Sequence, residues 1–312
     1  MASFFKSPKV TYLLMALLMI GISAGQLGAD NKANLLEKRL INDIKVINDK
    51  LDGLLGLAIK DLATGRTIVI NENEIFPQAS SIKIAVLLEV LKQAEEGQLK
   101  LDEFINLTPE AKVGGGLILA YLGYPSLKMS IRDLAVLMVV LSDNTATNLL
   151  IDRVGMKNVN SRLKSLGLNQ TRLERKMMDV KAAEEGRENI STPYEMMTLL
   201  EKIYKGQLLS PSSRQEFFNI LALPKDSPLQ QAVPEGVVVA DKPGELEAVR
   251  CDSGLVFLKK HPYIICVMTT YLKSEADGNA TIKQIGQAAF SYFDRLERSS
   301  NTGASFQKNK SS

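Results

Sequence analysis

The sequence predicts an α+β fold in which one antiparallel sheet is built from both ends of the chain. Helices from the N- and C-terminal segments flank that sheet, and an all-helical lobe is inserted between its halves. Three observations carry this expectation. Strand-like runs are confined to residues 54–71, a strand end and turn at 75–79, and residues 237–270. Between them, apolar residues recur at helical rather than alternating spacing. The runs at 31–51 and 281–298 each carry one apolar stripe, as a helix lying on a sheet does.

The elements follow in order. Residues 1–29 read as an export signal: Lys6 and Lys9 form a basic start, an apolar run reaches about Ala24, and small residues follow. The run is short for a membrane span, so cleavage is expected rather than anchoring. Leu35, Leu36, Leu40, Ile41, Ile44 and Ile47 place one face of a helix over 31–51. Residues 54–60 and 67–71, joined by Ala63-Thr64-Gly65, read as a hairpin. A helix follows Ser80 and stops near Gly97. Ser130 caps an apolar helix over 134–141, with Asp133 in its first turn. Helices at 147–154 and 159–166 each end at a glycine, Gly155 and Gly167. Residues 172–189 lack a clear period and read as an ordered surface loop, and further helices cover 192–204 and 215–221. Strands at 237–240, 254–258 and 263–270 return to the sheet, and a helix over 281–298 closes the chain. The expected organisation is a signal at 1–29, one catalytic domain at 30–298 and a polar disordered tail at 299–312. Within the domain, the sheet lobe takes 30–80 and 222–298 and the helical lobe takes 81–221.

Composition excludes several functions. The 312 residues are 45% apolar, and the net charge of +3 falls to +1 once Lys6 and Lys9 leave with the signal. Such a balance gives no reason to expect nucleic acid as a partner. One histidine, His261, and two cysteines, Cys251 and Cys266, are too few for a Ser-His-Asp triad or for a His- or Cys-rich metal centre. No metal and no cofactor are expected, and the protein is read as a monomer acting on a small molecule. The cysteines fall on successive strands but not opposite each other, so both are expected to be free.

The chemistry is concentrated in three short motifs. Ser80-Ser81-Ile82-Lys83 opens a helix, which sets the lysine one turn from the hydroxyl and aims free helix N–H groups at it. Ser142-Asp143-Asn144 follows 62 residues on, where a buried helix gives way to a turn. Lys242-Pro243-Gly244 ends a strand 100 residues beyond that. Alone, each is weak. Ser161-Arg162-Leu163-Lys164 repeats the first pattern on an ordinary amphipathic helix, and Lys112-Val113-Gly114 repeats the third.

In this order the motifs resemble the penicillin-recognising serine hydrolases, specifically the class A β-lactamase group. The surrounding words "LSDNTATNLLIDRVG", "STPYEMMTLLEKIYKG" and "VVVADKPGELEAVRCDSG" fit as well, and the resemblance runs from about Asn31 to Arg298. It implies the serine β-lactamase/D,D-peptidase fold and an exported, periplasmic or secreted enzyme acting on a β-lactam or peptidoglycan-like substrate. Ser80 is then the nucleophile, Lys83 its base, and Ser142 the relay to the leaving nitrogen. Asn144 orients Lys83 and the substrate amide, while Lys242 supplies positive charge for a substrate carboxylate. Gly244 leads to Glu245, whose backbone N–H forms the oxyanion hole together with that of Ser80. Arg250 either reaches the substrate carboxylate from the next strand or is a surface charge.

The chain departs from the pattern in two places. In the β-lactamases the surface loop carries a glutamate that activates water to release the acyl-enzyme, and here its place falls on Met177. Asp179 is the first candidate to replace it, with a purely loop-stabilising role as the alternative. Asn189 stands where an aspartate usually pairs with the loop arginine. Pro243 replaces the usual hydroxyl residue and offers neither hydroxyl nor N–H. The acylating parts are therefore present and the deacylating base is missing. That leaves a β-lactamase-like hydrolase with an atypical deacylation loop, a slowly deacylating penicillin-binding protein or esterase, or a non-catalytic binding module.

Overall fold

The computed structural model describes residues 32–114, 118–123 and 126–299. The export signal expected over 1–29 and, apart from Ser299, the tail expected over 299–312 lie outside them, as do Gly115 and Gly116. In chain order the elements are helix α1 (32–48) and strands β1 (Leu54–Asp61), β2 (Thr67–Ile70) and β3 (Phe76–Pro77). Helix α2 (Lys83–Glu95), β4 (Phe104–Leu107), β5 (Leu127–Ser130), α3 (Ile131–Val140), α4 (Asn144–Val154), α5 (Met156–Ser165), α6 (Val180–Glu184) and β6 (Ile190–Ser191) form the middle. The chain closes with α7 (Pro193–Tyr204), α8 (Pro211–Leu221), β7 (Val238–Leu246), β8 (Val249–Phe257), β9 (Tyr263–Thr270) and α9 (Glu275–Arg298).

The main sheet is antiparallel, in the order β2-β1-β9-β8-β7. It draws strands from both ends of the sequence, as the α+β reading requires. The β1–β2 hairpin turns where Asp61 accepts from Ala63 N at 2.8 Å and Thr64 Oγ1 at 2.8 Å, and Gly65 takes φ +78°. Strand β9 lies at the sheet centre and is buried along Tyr263 to Thr269, because both faces are covered.

The two faces serve different purposes. Leu55, Leu57, Ile59, Val239, Ile265 and Val267 pack against α1 and α9 through Leu40, Ile44, Ile282, Ile285 and Phe293. Ala58, Ala240, Cys251, Leu255, Ile264 and Met268 face the other way, into one core with α2, α3, α4, α7 and α8. Each fully buried Leu, Ile, Val or Met contributes about 1.5–3 kcal/mol. The helical layer is therefore clamped firmly onto the second face, where the site lies.

Several elements are longer than the sequence predicts. Helix α9 starts at Glu275, with Ser274 as cap, rather than near residue 281. Gly278 sits in its first turns, where a Cβ would meet Leu272 Cδ1 at 2.5 Å and Arg250 Cγ at 2.9 Å, so a glycine lets the helix approach β8 closely. Strand β8 begins at Val249, because its polar residues Arg250, Asp252 and Ser253 are buried rather than solvated. The 172–189 loop contains the single-turn helix α6. Cys251 pairs in register with Met268, and Cys266 with Ser253, so the two cysteines sit diagonally and both are free. No helix among the described residues is long and apolar enough to cross a membrane.

Candidate active site

The Ser80 turn is a 3₁₀ segment (Ala79–Ile82) that runs directly into α2. It is entered through Ala79 at φ +47°, a left-handed conformation uncommon outside glycine. The caps of the segment and of α2, Gln78 and Ile82, make no side-chain cap bond, so Ser80 is not the helix cap. Its hydroxyl instead lies 2.7 Å from Ser142 Oγ. Ser142 occupies the junction of α3 and α4, also left-handed at φ +53°. Asp143 fixes that junction. Its Oδ1 caps α4 by accepting from Ala146 N at 2.8 Å, and its Oδ2 accepts from Ile118 N and Leu119 N at 3.2 and 3.0 Å.

Lys83 is fully buried beneath this junction. Its Nζ donates to Ser142 O at 2.8 Å, Ser142 Oγ at 3.0 Å and Asn144 Oδ1 at 3.2 Å. All three acceptors are neutral. Burial pushes the Lys83 ammonium well below its ordinary range, the charge of Lys242 pushes the same way, and Asp143 opposes them. The hydrogen bonds thus run Ser80 Oγ, Ser142 Oγ, Lys83 Nζ, with Ser142 as the middle link.

Strand β7 forms the opposite wall as the free edge of the sheet. Ser81 Oγ donates to Lys242 O at 2.9 Å, which ties that edge to the nucleophile turn. Lys242 is buried, with Nζ donating to Pro243 O at 2.8 Å. Burial brings its ammonium down to about 8, opposed by the carboxyls of Asp252 and Asp241. Pro243 is half-buried and Glu245 exposed. A Cβ on Gly244 would meet Gln78 O at 2.5 Å and Ser81 N at 2.9 Å. Gly244→Ala is therefore expected to push strand and turn apart, at about 1–3 kcal/mol. A lowered Tm together with slower reaction at Ser80 checks this, and unchanged values of both would contradict it.

Arg250 does not join the site. Its Cβ and Cγ lie against Gly278 of α9, whereas its neighbour Cys251 faces Pro77 O at 3.1 Å, on the nucleophile side. Side chains alternate along a strand, so Arg250 belongs to the far face. There it pairs with Glu275 and donates to Leu246 O and Val249 O, each at 2.7 Å. It is neither placed for a substrate carboxylate nor a surface charge.

The loop after α5 bears on the site through Met177. Met177 is buried, and Asn148 holds its backbone from both sides: Met177 N donates to Asn148 Oδ1 at 2.8 Å, and Asn148 Nδ2 donates to Met177 O at 3.0 Å. Asn148 lies one turn beyond Asn144 on α4, so both project from one helical face. The sequence reading missed Asn148, although its i,i+4 spacing from Asn144 was visible. Asp179 is exposed and spends Oδ1 on capping α6, accepting from Ala182 N at 3.0 Å, which is the loop-stabilising role. Arg175 finds its carboxylate in Glu188, with Nε–Oε1 and Nη2–Oε2 at 3.0 and 2.9 Å. Asn189, in place of an aspartate, accepts from Glu174 N and Arg175 N at 2.7 and 3.0 Å. The second serine–lysine pair, Ser161 and Lys164, is exposed on α5. Among the described residues no cluster of histidine, cysteine and acidic side chains is suited to a metal ion.

The chain is similar to known proteins over most of its length. The model of the family described as "Beta-lactamase enzyme family" matches residues 38–293. An imipenem-hydrolysing β-lactamase of Enterobacter cloacae is 28% identical over 265 residues, which cover 82% of this chain and 89% of that protein. The structure of PBP-A superposes with a TM-score of 0.75 at 27% identity, covering 83% of this chain and 97% of PBP-A. A variant of PBP-A solved as an acyl-enzyme complex with penicillin G matches with the same figures. The class A β-lactamase of the last common ancestor of Gram-negative bacteria gives a TM-score of 0.74 at 28% identity, covering 81% and 99% of the two chains.

Proposed function

This chain belongs to the β-lactamase enzyme family, and from that premise we propose that Ser80 forms an acyl-enzyme with a β-lactam or a related amide or ester and releases it slowly. The observation that carries the reading is the unbroken chain from Ser80 Oγ through Ser142 Oγ to the buried Lys83 Nζ. Ser80 Oγ attacks the carbonyl carbon while its proton passes through Ser142 to Lys83. The carbonyl oxygen takes up negative charge in front of the backbone N–H groups of Ser80 and Glu245. The tetrahedral species collapses as the C–N bond breaks. Lys83 returns the proton through Ser142 to the departing nitrogen, leaving an ester on Ser80. Lys242 is the cation for the substrate carboxylate, a task that Arg250 does not share.

Release is the weak step, because Met177 stands where a water-activating carboxylate is needed and Asp179 is committed to its helix cap. The likeness to PBP-A, whose variant forms an acyl-enzyme with penicillin G, supports a penicillin-binding, slowly deacylating enzyme. The hydrolytic relative from Enterobacter cloacae supports the second reading, a working β-lactamase. A chromogenic cephalosporin separates them: a burst of about one equivalent followed by a slow phase supports slow release, and rapid linear turnover supports the second reading. The reading includes export by residues 1–29, which N-terminal sequencing of the mature protein checks: a start near residue 30 supports it and an intact Met1 contradicts it.

Acylation should have a bell-shaped pH profile. Lys83 acts as base only when neutral, so the rate is lost as pH falls through its lowered pKa. Lys242 holds a carboxylate only when charged, so the rate is lost as pH rises through about 8. Stopped-flow acylation rates across pH check both limbs, and a rate still rising well above pH 8 would contradict the role of Lys242.

A further inference from the structure

Behind Lys242, on the α9 side of the sheet, lies a buried polar cluster that the reaction above does not use. Asp241 on β7 and Asp252 on β8 are both fully buried. The Ser227 hydroxyl contacts both, Asp241 Oδ2 and, at 2.8 Å, Asp252 Oδ2. Asp241 Oδ1 accepts from Lys225 Nζ at 3.2 Å and Gln230 Nε2 at 2.9 Å. Asp252 Oδ2 accepts from Leu229 N at 3.1 Å, and Asp252 Oδ1 is buried without a partner.

Counting protons decides the charge of this cluster. A hydroxyl carries one proton and can donate to only one of the two carboxyl oxygens. The other contact needs a proton of its own, because two ionised carboxylates flanking one hydroxyl would leave oxygen lone pairs facing each other. Asp241 has an ammonium and an amide to hold its charge. Asp252 has one backbone N–H and an oxygen that nothing satisfies, an expensive setting for an anion.

We propose that Asp252 is a neutral carboxylic acid in the resting protein, donating to Ser227 Oγ while Ser227 donates to Asp241, and that it thereby acts as a positioning residue setting the charge felt by Lys242. Burial and the neighbouring Asp241 both push the Asp252 carboxyl well above the usual range, in keeping with this assignment. The charged groups around Asp252 are Asp241 and Lys242 on β7, Lys225 on the segment after α8, and Arg250 on its own strand. Arg250 is engaged by Glu275 of α9, and Glu245 lies at the exposed end of β7. With Asp252 neutral, Asp241 is the buried carboxylate left near Lys242, Lys225 already pairs with it, and Glu245 acts only from the exposed end of β7. Lys242 then gives up its proton at or below about pH 8 rather than above it.

The test has two arms. Infrared spectra of the full chain, with and without ¹³C-aspartate, are expected to contain a carboxylic-acid carbonyl band at neutral pH, lost in Asp252→Asn and kept in Asp241→Asn. The wild-type spectrum decides this arm even where a variant fails to fold, and absence of the band overturns the proposal. The second arm, the pH profile of penicillin acylation, rests on the acyl-enzyme reading above, whereas the infrared arm does not. Asp252→Asn replaces one neutral group with another and should leave the alkaline limb in place. Asp241→Asn removes a charge and should move that limb to lower pH. An equal acidward shift in Asp252→Asn would mean that Asp252 is ionised and would overturn the proposal.

Discussion

Ser80→Ala is expected to abolish covalent labelling by penicillin, leaving no adduct by mass spectrometry. Among the described residues the other candidates are engaged or misplaced: Ser142, the nearest, is the relay and has its hydroxyl bonded to Ser80 Oγ and Lys83 Nζ. Ser81 is buried with its hydroxyl committed to Lys242 O, and Ser161 sits exposed on α5. The Cys251 thiol is buried and pushed up to about 12, so it offers almost no thiolate at neutral pH. The companion change Lys83→Met removes the proton acceptor at similar volume and should slow acylation by about 10²–10⁴-fold. It also removes a buried amine bonded only to neutral acceptors, so Tm should hold or rise. Loss of rate without loss of stability assigns Lys83 to catalysis. A fall in both would make it structural, and an adduct surviving in Ser80→Ala would remove the nucleophile from the account.

Met177→Glu is expected to act in the opposite sense, on release. Asn148 holds the Met177 backbone at both N and O, so the loop is already fixed at that residue. A carboxylate there would start beside Asn148, one turn along α4 from Asn144. A general base contributes about 10²–10⁴-fold, and deacylation should accelerate within that range while acylation changes little. Single-turnover release of a labelled penicilloyl group reads this directly. Unchanged release would mean that something other than the missing base limits deacylation. Unfolding of the loop would appear as lost protection of the Met177 amide in hydrogen exchange.

The contrast between Lys83 and Arg250 explains how much of this was legible in the sequence. Ser80 and Lys83 are one turn apart in a single segment, and Ser142 and Asn144 flank the cap of one helix, so local geometry fixes where they point. Arg250 depends instead on the register across a turn. Leu246 pairs with Val249, so Glu247 and Ala248 form a two-residue loop, with Ala248 at φ +56°. A loop one residue different in length would exchange the faces of Arg250 and Cys251, and nothing in the composition of the strand states that length. The α+β architecture was readable because strand and helix patterns separate along most of the chain; the pairs β4–β5 and β3–β6, with strands of four and two residues, break the expected all-helical lobe and are too short to show a period. The first half of β8 was not readable, because the side-chain partners of its buried Arg250 and Asp252, Glu275 and Ser227, each lie 25 residues away in sequence. Asn148 was missed for a related reason: its partners are backbone atoms of a loop 29 residues away.

An intact-mass time course of the wild-type protein mixed with benzylpenicillin tests the central claim most directly. The account predicts rapid gain of one penicilloyl group per chain, mapped to the peptide containing Ser80, followed by slow return to the starting mass. A mass that never changes while the penicillin stays intact would contradict it.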